Sequence, residues 1–323
     1  MVLSQSASQG EKRRSIVDKK PPVLLIGGCS GSSTAPSSQV TRHNIPKMDP
    51  VIRPFHRSDF GMNTTGFGII SEGVGLSIDN GTGAQPVAQY LLKRDGVGQI
   101  FGLQTHFHKD HKMGTHENAL YWGKGLLEKS FAPLLGGRTW EEIFKTDFVF
   151  DSYPASPEML GISHSFENFK CGEVLPILGG IKTLALNHPG GACGYRIQTP
   201  EGDVAIVTDH DIGEDLEGKY STFVSGAKLL YADVQYRDAE YEGKIGIGRE
   251  GPVNRSKYGH SSPNTFFAAL QKCSELPKKV LIGHHDPKRP DEDLYRFEAE
   301  MQKQAGGLCI SLEFAREGKV YEI

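Results

Sequence analysis

Residues 106–111, with the sequence HFHKDH, have the types and spacing of a metal site. They place three imidazoles and one carboxylate directly after the apolar run 100–103. Neutral imidazole and carboxylate hold Zn2+ and similar divalent ions at about 2.0 to 2.2 Å. In an extended segment, the side chains of His106 and His108 project from one face. A turn would bring Asp110 and His111 to a second position beside it. This loop can therefore serve two adjacent ions; the alternative is a group of surface histidines beside a helix start.

Three more candidate ligands follow apolar, strand-like runs. His188 follows residues 184–187, Asp209 follows 204–208, and His284 follows 279–283. A single Asp or His at a strand end is about as often a cap or a hydrogen-bond partner as a ligand. Rigid strands aim their terminal loops at a common point, so we expect the three to meet the 106–111 loop.

The pattern His-x-His-x-Asp-His-x-x-Gly, which runs from His106 to Gly114, resembles the metal-binding signature of the metallo-β-lactamase superfamily. That resemblance implies an α/β fold, the four-layer αββα sandwich. It also implies two ligand sets bridged by Asp209: His106, His108 and His188 at one ion, and Asp110, His111 and His284 at the other.

Four further segments resemble elements of the ribonuclease Z-like group, which includes cyclic-nucleotide and cyclic-phosphate phosphodiesterases. They are GGCSGSST at 27–34, GMNT at 61–64, IDNGTG at 78–83 and YGHSS at 258–262, and the resemblance covers about residues 23–300. The spacing of about thirty residues between Gly31 and Asn63 is longer than usual for the group, and Met62 replaces a common glycine. The chain also lacks the glycine-rich basic arm with which ribonuclease Z grips transfer RNA.

The resemblance implies hydrolysis by a hydroxide that bridges two divalent ions, with Zn2+ expected and Mn2+ or Fe2+ also suited to the ligands. Asp110 would orient or deprotonate the water. His260, in a Gly-His-Ser-Ser turn, matches the residue that protonates the leaving group; the alternative is a helix-start histidine bonded to backbone. Four residues are expected to orient the ligand imidazoles: Asp79, Asp233, His285 and Asp286.

The preferred function is therefore a phosphodiesterase for a cyclic nucleotide or another small cyclic phosphate. The alternatives are a ribonuclease Z-type RNA endonuclease, a lactonase or thioesterase, and a catalytically idle metal-binding or ligand-sensing protein. A formal net charge of −3 argues against capture of long nucleic acids, which depends on clustered Lys and Arg. We expect a small anionic phosphodiester as the partner.

With 323 residues and 37% hydrophobic content, the chain can bury a substantial core. We predict a disordered tail at 1–22 and one hydrolase domain at 23–323, with an insertion near 36–60 that is a solvated loop, a lid or an interface element. No signal-peptide or membrane-spanning run is expected. Five scattered cysteines favour a reducing cytoplasm, and Cys193 is expected to be a buried thiol in a glycine-rich turn.

Apolar runs predict strands near 23–27, 66–71, 76–79, 100–105, 180–186, 194–199, 203–208, 229–233 and 279–283. Helices are predicted near 86–94, 263–276 and 291–305. The aromatic residues between 121 and 169 are interpreted as packing residues or homodimer contacts, with stacking on a nucleobase as the alternative. They are Trp122, Trp140, Phe144, Phe148, Phe150, Tyr153, Phe166 and Phe169.

Overall fold

The computed structural model describes residues 21–32, 58–122, 125–149, 153–154, 156–158, 165–213, 215 and 217–323. Most of the predicted tail at 1–22 and most of the predicted insertion at 36–60 lie outside the described residues. The expectations for both segments therefore stay predictions.

The described strands form two mixed seven-stranded sheets. Along the first sheet the strands lie in the order β14 (Val320–Glu322), β1 (Val23–Gly28), β2 (Gly66–Ser71), β3 (Val74–Ile78), β4 (Gln99–Leu103), β5 (Lys129–Pro133) and β6 (Ser165–Phe169). Along the second they lie in the order β13 (Ser311–Phe314), β12 (Lys279–Gly283), β11 (Leu229–Asp233), β10 (Val204–Val207), β9 (Ala192–Ile197), β8 (Ile181–Leu186) and β7 (Val174–Leu175).

The helices of the described residues flank these sheets. They are α1 (Ala84–Lys93), α2 (Ala119–Trp122), α3 (Trp140–Asp147), α4 (Lys219–Val224), α5 (Asp238–Tyr241), α6 (Pro263–Leu270) and α7 (Asp291–Gly306). Short 3-10 turns occupy Lys109–His111 and Thr115–Glu117.

The pairing of the strands decides where their loops meet. Strands β3 to β6 run parallel in the first sheet, and β10 to β13 run parallel in the second. The carboxyl ends of parallel strands lie at one edge of a sheet, so the loops after β3 and β4 share one edge. The loops after β10, β11 and β12 share the corresponding edge of the second sheet.

Apolar side chains fill three layers in the described part of the chain. Phe67 and Leu281 belong to the layer between the sheets. Val87 of α1 and Trp140 of α3 pack outside the first sheet, whereas Phe297 of α7 packs in the layer outside the second. Sheets covered on both faces need strands that are apolar on both faces, and β10 is buried along its whole length. The predicted αββα sandwich is confirmed.

Each predicted strand and helix is present within a few residues, but several elements were not predicted. The missed strands are short or polar: β6 reads SFENF, and β7 has two residues. Helix α6 ends at Leu270, whereas the prediction extended it to 276. Pro277 disfavours a helical conformation in the residue before it. The backbone of Glu275 instead forms hydrogen bonds with the Gly226 amide and the Ser225 hydroxyl, in the loop after α4.

The packing interpretation of the aromatic region is confirmed for Trp140, Phe144 and Phe148, which are buried outside the first sheet. Trp140 Nε1 donates a hydrogen bond of 2.8 Å to Ser130 Oγ, so its polar atom is also satisfied. Trp122 is 40% exposed. Phe150 lies outside the described residues.

Among the described helices, none has the length and apolarity to cross a lipid bilayer. All five cysteines lie in described residues and are free thiols. Cys193 is fully buried, as expected, but it lies within strand β9 and not in the glycine turn that precedes it.

Candidate metal centre

The seven predicted metal ligands come together at the edge where the parallel strands end. The loop after β4 supplies four of them, and the loops after β8, β10 and β12 supply His188, Asp209 and His284. Among the described residues, their side chains form two four-residue groups that share Asp209. In each group the candidate ligand atoms lie within 4.8 Å of one another.

The first cluster consists of His106, His108, His188 and Asp209. His188 Nε2 lies 2.9 Å from His108 Nδ1 and 3.6 Å from Asp209 Oδ2. His106 Nε2 lies 3.7 Å from the same Asp209 oxygen. His108 is the exposed member of this cluster, so the centre opens to solvent on its side.

The second cluster consists of Asp110, His111, Asp209 and His284, all of them buried. Asp209 Oδ1 lies 3.0 Å from His111 Nε2 and 3.2 Å from His284 Nε2. Asp110 Oδ2 lies 3.4 Å from His111 Nε2 and 3.2 Å from His284 Nε2. Asp209 therefore directs one oxygen to each cluster, which is the geometry of a bridging carboxylate.

Backbone strain marks three residues of this centre. Asp79, Asp209 and His284 have φ angles of 61°, 52° and 56°, in the left-handed region that L-residues seldom adopt. Asp79 and His284 directly follow β3 and β12, and Asp209 lies two residues after the end of β10, so the chain turns sharply close to the end of each strand. Such conformations cost on the order of 1 to 3 kcal/mol each and cluster at functional sites.

Hydrogen bonds from buried residues hold the 106–111 loop in place. Asp79 Oδ2 accepts a 2.7 Å hydrogen bond from His111 Nδ1, as the sequence predicted, which directs the other ring nitrogen into the second cluster. Asp79 also accepts from the Thr105 hydroxyl at 2.8 Å. Gln104 Nε2 donates to the carbonyl oxygens of His106 and His111 at 2.7 and 2.8 Å.

Gln104, Thr105 and Ser32 were missed as supporting residues. The backbone amide of Ser32 donates a 2.8 Å hydrogen bond to Asp110 Oδ2. The sequence did contain a signal for Gln104 and Thr105, since both are polar residues between an apolar strand and the histidine motif. Ser32 lies 78 positions before Asp110, and no local pattern connects them.

His260 lies beside both clusters. Its ring centroid is 5.2 Å from that of His188 and 4.8 Å from that of His284. Buried Asp233 accepts a 2.6 Å hydrogen bond from His260 Nδ1. Asp233 was predicted to orient a ligand imidazole; it orients His260 instead, and leaves Nε2 as the nitrogen that can exchange a proton with a substrate.

The prediction that His285 and Asp286 orient the ligand imidazoles is wrong. His285 Nε2 donates to the carbonyl oxygen of Ala315 at 3.1 Å, and its ring stacks on Phe314. Asp286 Oδ1 accepts from the backbone amide of Lys288 at 2.8 Å. The left-handed turn at His284 directs that side chain to the centre and sends the next two residues away from it.

The histidines of the two clusters have different protonation states in the metal-free chain. Burial, together with His111, holds the pKa of His106 well below its usual value, and burial lowers that of His188 to about 4. Burial would also lower the pKa of His284, but Asp209 and Asp110 outweigh it and raise that pKa to about 9. His111 is raised well above its usual pKa because the same carboxylates outweigh its burial. The histidines of the first cluster are therefore neutral, whereas the second cluster pairs imidazolium with carboxylate.

These residues fit divalent metal ions. His106 Nε2 is buried and has no hydrogen-bond partner among the described residues. An unsatisfied buried polar atom costs about 1 to 3 kcal/mol, which a ligand in the cluster would relieve. The first cluster offers three imidazoles and one carboxylate, and the second offers two of each. These are the donors that Zn2+, Mn2+ and Fe2+ accept.

No family model and no curated protein matches the sequence. The structure resembles the metallo-beta-lactamase fold protein YhfI from Bacillus subtilis, with a TM-score of 0.59 and 14% identity over 94% of this chain and 100% of that one. The chain has the metallo-β-lactamase fold.

Two further solved structures have a fold similar to that of this chain. A diphosphatase from the PhnP family matches with a TM-score of 0.57 and 16% identity, over 94% of this chain and 98% of that one. Zn2+-bound PqqB from Methylobacterium extorquens matches with a TM-score of 0.60 and 13% identity, over 93% of this chain and 100% of that one. At these identities the comparisons establish the fold, and function has to be argued from the site.

Proposed function

We propose that the chain is a dinuclear metal-dependent phosphodiesterase that hydrolyses a small phosphodiester, with a cyclic nucleotide or related cyclic phosphate as the favoured substrate. One observation carries the proposal. Asp209 directs its two oxygens to two histidine clusters, and His260, fixed by buried Asp233, lies beside both of them. Metal ions in the clusters would suit attack on phosphorus, and His260 would suit protonation of an alkoxide leaving group.

The two ions would be held by the first and second clusters with Asp209 between them. When bound, they would polarise the phosphoryl oxygens and supply a water of lowered pKa. The positive charge would also balance the carboxylates of Asp110 and Asp209 in the second cluster, and would attract an anionic substrate.

The residues of the chain supply the proton transfers. Asp110 would take the proton from the attacking water; its carboxylate is held by the Ser32 amide, 2.8 Å from Oδ2. His260 Nε2 would donate a proton to the leaving alkoxide. Asp233 would stabilise the imidazolium that makes this donation and fix the ring by its 2.6 Å contact with Nδ1.

Substrate recognition would fall to loops around the exposed side of the first cluster. Tyr258 is 49% exposed and comes directly before Gly259, whose carbonyl oxygen accepts a 2.9 Å hydrogen bond from His188 Nδ1. Exposed Lys109 follows His108, and exposed Lys257 precedes Tyr258. An exposed aromatic ring and exposed cations on these loops suit a small nucleotide-like anion.

The His260–Asp233 pair favours phosphodiester hydrolysis over the lactonase and thioesterase alternatives, for which the His260 turn has no clear role. The RNA endonuclease alternative would need an extended basic surface, which a net charge of −3 does not favour. The similarity in fold to a PhnP-family diphosphatase also supports hydrolysis at a phosphorus atom.

The test is a substrate panel on full-length protein reconstituted with Zn2+ or Mn2+. The panel contains cyclic mononucleotides, bis(p-nitrophenyl) phosphate, a precursor transfer RNA and lactones, with Asp209→Asn as the metal-site control. We expect turnover of the small phosphodiesters and loss of it in the control. Activity confined to the transfer RNA or to the lactones would select one of the alternatives, and inactivity of metal-loaded protein on the whole panel would contradict an enzymatic role.

A further inference from the structure

Two cysteines outside the metal centre are neighbours in space. Cys171 lies in the connection between β6 of the first sheet and β7 of the second, and Cys193 lies in β9. Cys171 Sγ is 4.0 Å from the carbonyl oxygen of Ala192, the residue before Cys193, so the two thiols lie close together. We propose that Cys171 and Cys193 are an oxidative modification site, at which a peroxide forms a reversible intramolecular disulfide.

The two thiols have different environments. Cys171 is partly exposed, and the hydrogen bond from Cys193 lowers the pKa of Cys171, which favours its thiolate. Cys193 is buried, and burial raises its pKa well above the usual value. The thiolate is the reactive form of cysteine, so Cys171 is the attacking residue and Cys193 the one that completes the disulfide.

The remaining cysteines provide contrasts within the same chain. Burial raises the pKa of Cys273 to about 11 and that of Cys29 further, which makes both poor nucleophiles. Cys309 is exposed and so is accessible to any reagent. A faster reaction of partly exposed Cys171 than of Cys309 therefore cannot be explained by access.

The chemistry balances with hydrogen peroxide as the oxidant. The Cys171 thiolate attacks one peroxide oxygen, the O–O bond breaks, and the departing hydroxide takes a proton to become water. The Cys193 sulfur then attacks the sulfenic sulfur of Cys171 and displaces its hydroxide, which takes the Cys193 proton to form a second water. Two thiols are oxidised to one disulfide, and one peroxide is reduced to two waters.

The position of Cys193 links this site to the metal centre. Its backbone amide donates a 3.0 Å hydrogen bond to the carbonyl oxygen of Thr105, which precedes His106. Strand β9 also follows the loop that contains His188. A disulfide would thus join the connection between the sheets to the strand that supports both ligand loops. We expect it to raise the unfolding temperature without removing metal.

The test uses full-length, metal-loaded protein treated with an equimolar amount of hydrogen peroxide, then blocked with N-ethylmaleimide and digested. Mass spectrometry should find a Cys171–Cys193 linked peptide and an intact mass lower by two hydrogens, both reversed by dithiothreitol. Cys171→Ser should abolish the linkage, and the matched control Cys309→Ser should keep it. A linkage through another cysteine, or one that persists in Cys171→Ser, would overturn the proposal.

A second measurement begins with the wild-type protein, so its first result does not depend on folding of a variant. Cys171 of the wild-type protein should react with iodoacetamide at pH 7 faster than exposed Cys309, because its thiolate is favoured. In Cys193→Ala, the loss of the hydrogen-bond donor should slow Cys171, and dimedone should trap its sulfenic acid after peroxide. An equal or slower rate for Cys171 than for Cys309 in the wild-type protein would refute the proposed reactivity.

Discussion

Replacement of His260 by alanine separates proton transfer from metal binding. His260 Nδ1 donates to Asp233 at 2.6 Å, which leaves Nε2 for the leaving group. Loss of a general acid costs about 10²- to 10⁴-fold in rate, equivalent to about 2.7 to 5.5 kcal/mol of transition-state free energy. We expect a loss of this size on an alkoxide-releasing cyclic nucleotide. The loss on bis(p-nitrophenyl) phosphate should be much smaller, since p-nitrophenolate leaves without a proton.

The assay is kcat for both substrates on wild-type and His260→Ala protein, with metal content measured on each sample. Asp233→Asn is the matched variant: it keeps the shape of the side chain, removes the charge that stabilises the imidazolium, and should give a smaller loss with the same substrate dependence. Equal losses on the two substrates would refute the general-acid role. Unchanged rates on both would make His260 a structural residue of its turn.

Three further results are expected. Asp79→Asn should weaken metal binding by about 10- to 100-fold, measured by competition with a chelator, because Asp79 orients His111 through a 2.7 Å hydrogen bond; unchanged affinity would contradict this. Metal affinity should rise with pH towards about 9, because bound metal requires neutral His111 and His284, whose pKa values are raised in the metal-free chain. Calorimetry in buffers of different ionisation enthalpy should show release of about two protons at pH 7, and no release would count against it. Tyr258→Ala should raise KM for a cyclic nucleotide and leave metal content unchanged, because Tyr258 is 49% exposed beside the centre; an unchanged KM would remove it from the substrate site.

More of the metal site than of the surrounding fold could be predicted from the sequence. The rule that a polar residue after an apolar strand lies at the edge of a sheet located His188, Asp209 and His284 without any structure. It works here because β8, β10 and β12 point in the same direction, so that their carboxyl ends lie at one edge of the sheet. The resemblance then supplied the division into two clusters, and the two oxygens of Asp209 match that division.

Local patterns failed where the backbone conformation decides the outcome. His284, His285 and Asp286 are consecutive polar residues, and only the φ of 56° at His284 determines which of them faces the centre. Strand β6 was missed because its sequence, SFENF, lacks an apolar run; pairing with β5 stabilises it. Neither the turn at His284 nor the pairing of β6 with β5 can be recognised from a few consecutive residues of sequence.

The most direct test of the central claim is anomalous diffraction at the zinc edge from crystals of the zinc-loaded, full-length protein. Two metal peaks are expected, one beside each carboxylate oxygen of Asp209, with His106, His108 and His188 around the first and Asp110, His111 and His284 around the second. A single peak in fully loaded crystals, or peaks that Asp209 does not bridge, would contradict the dinuclear centre on which the proposed activity rests.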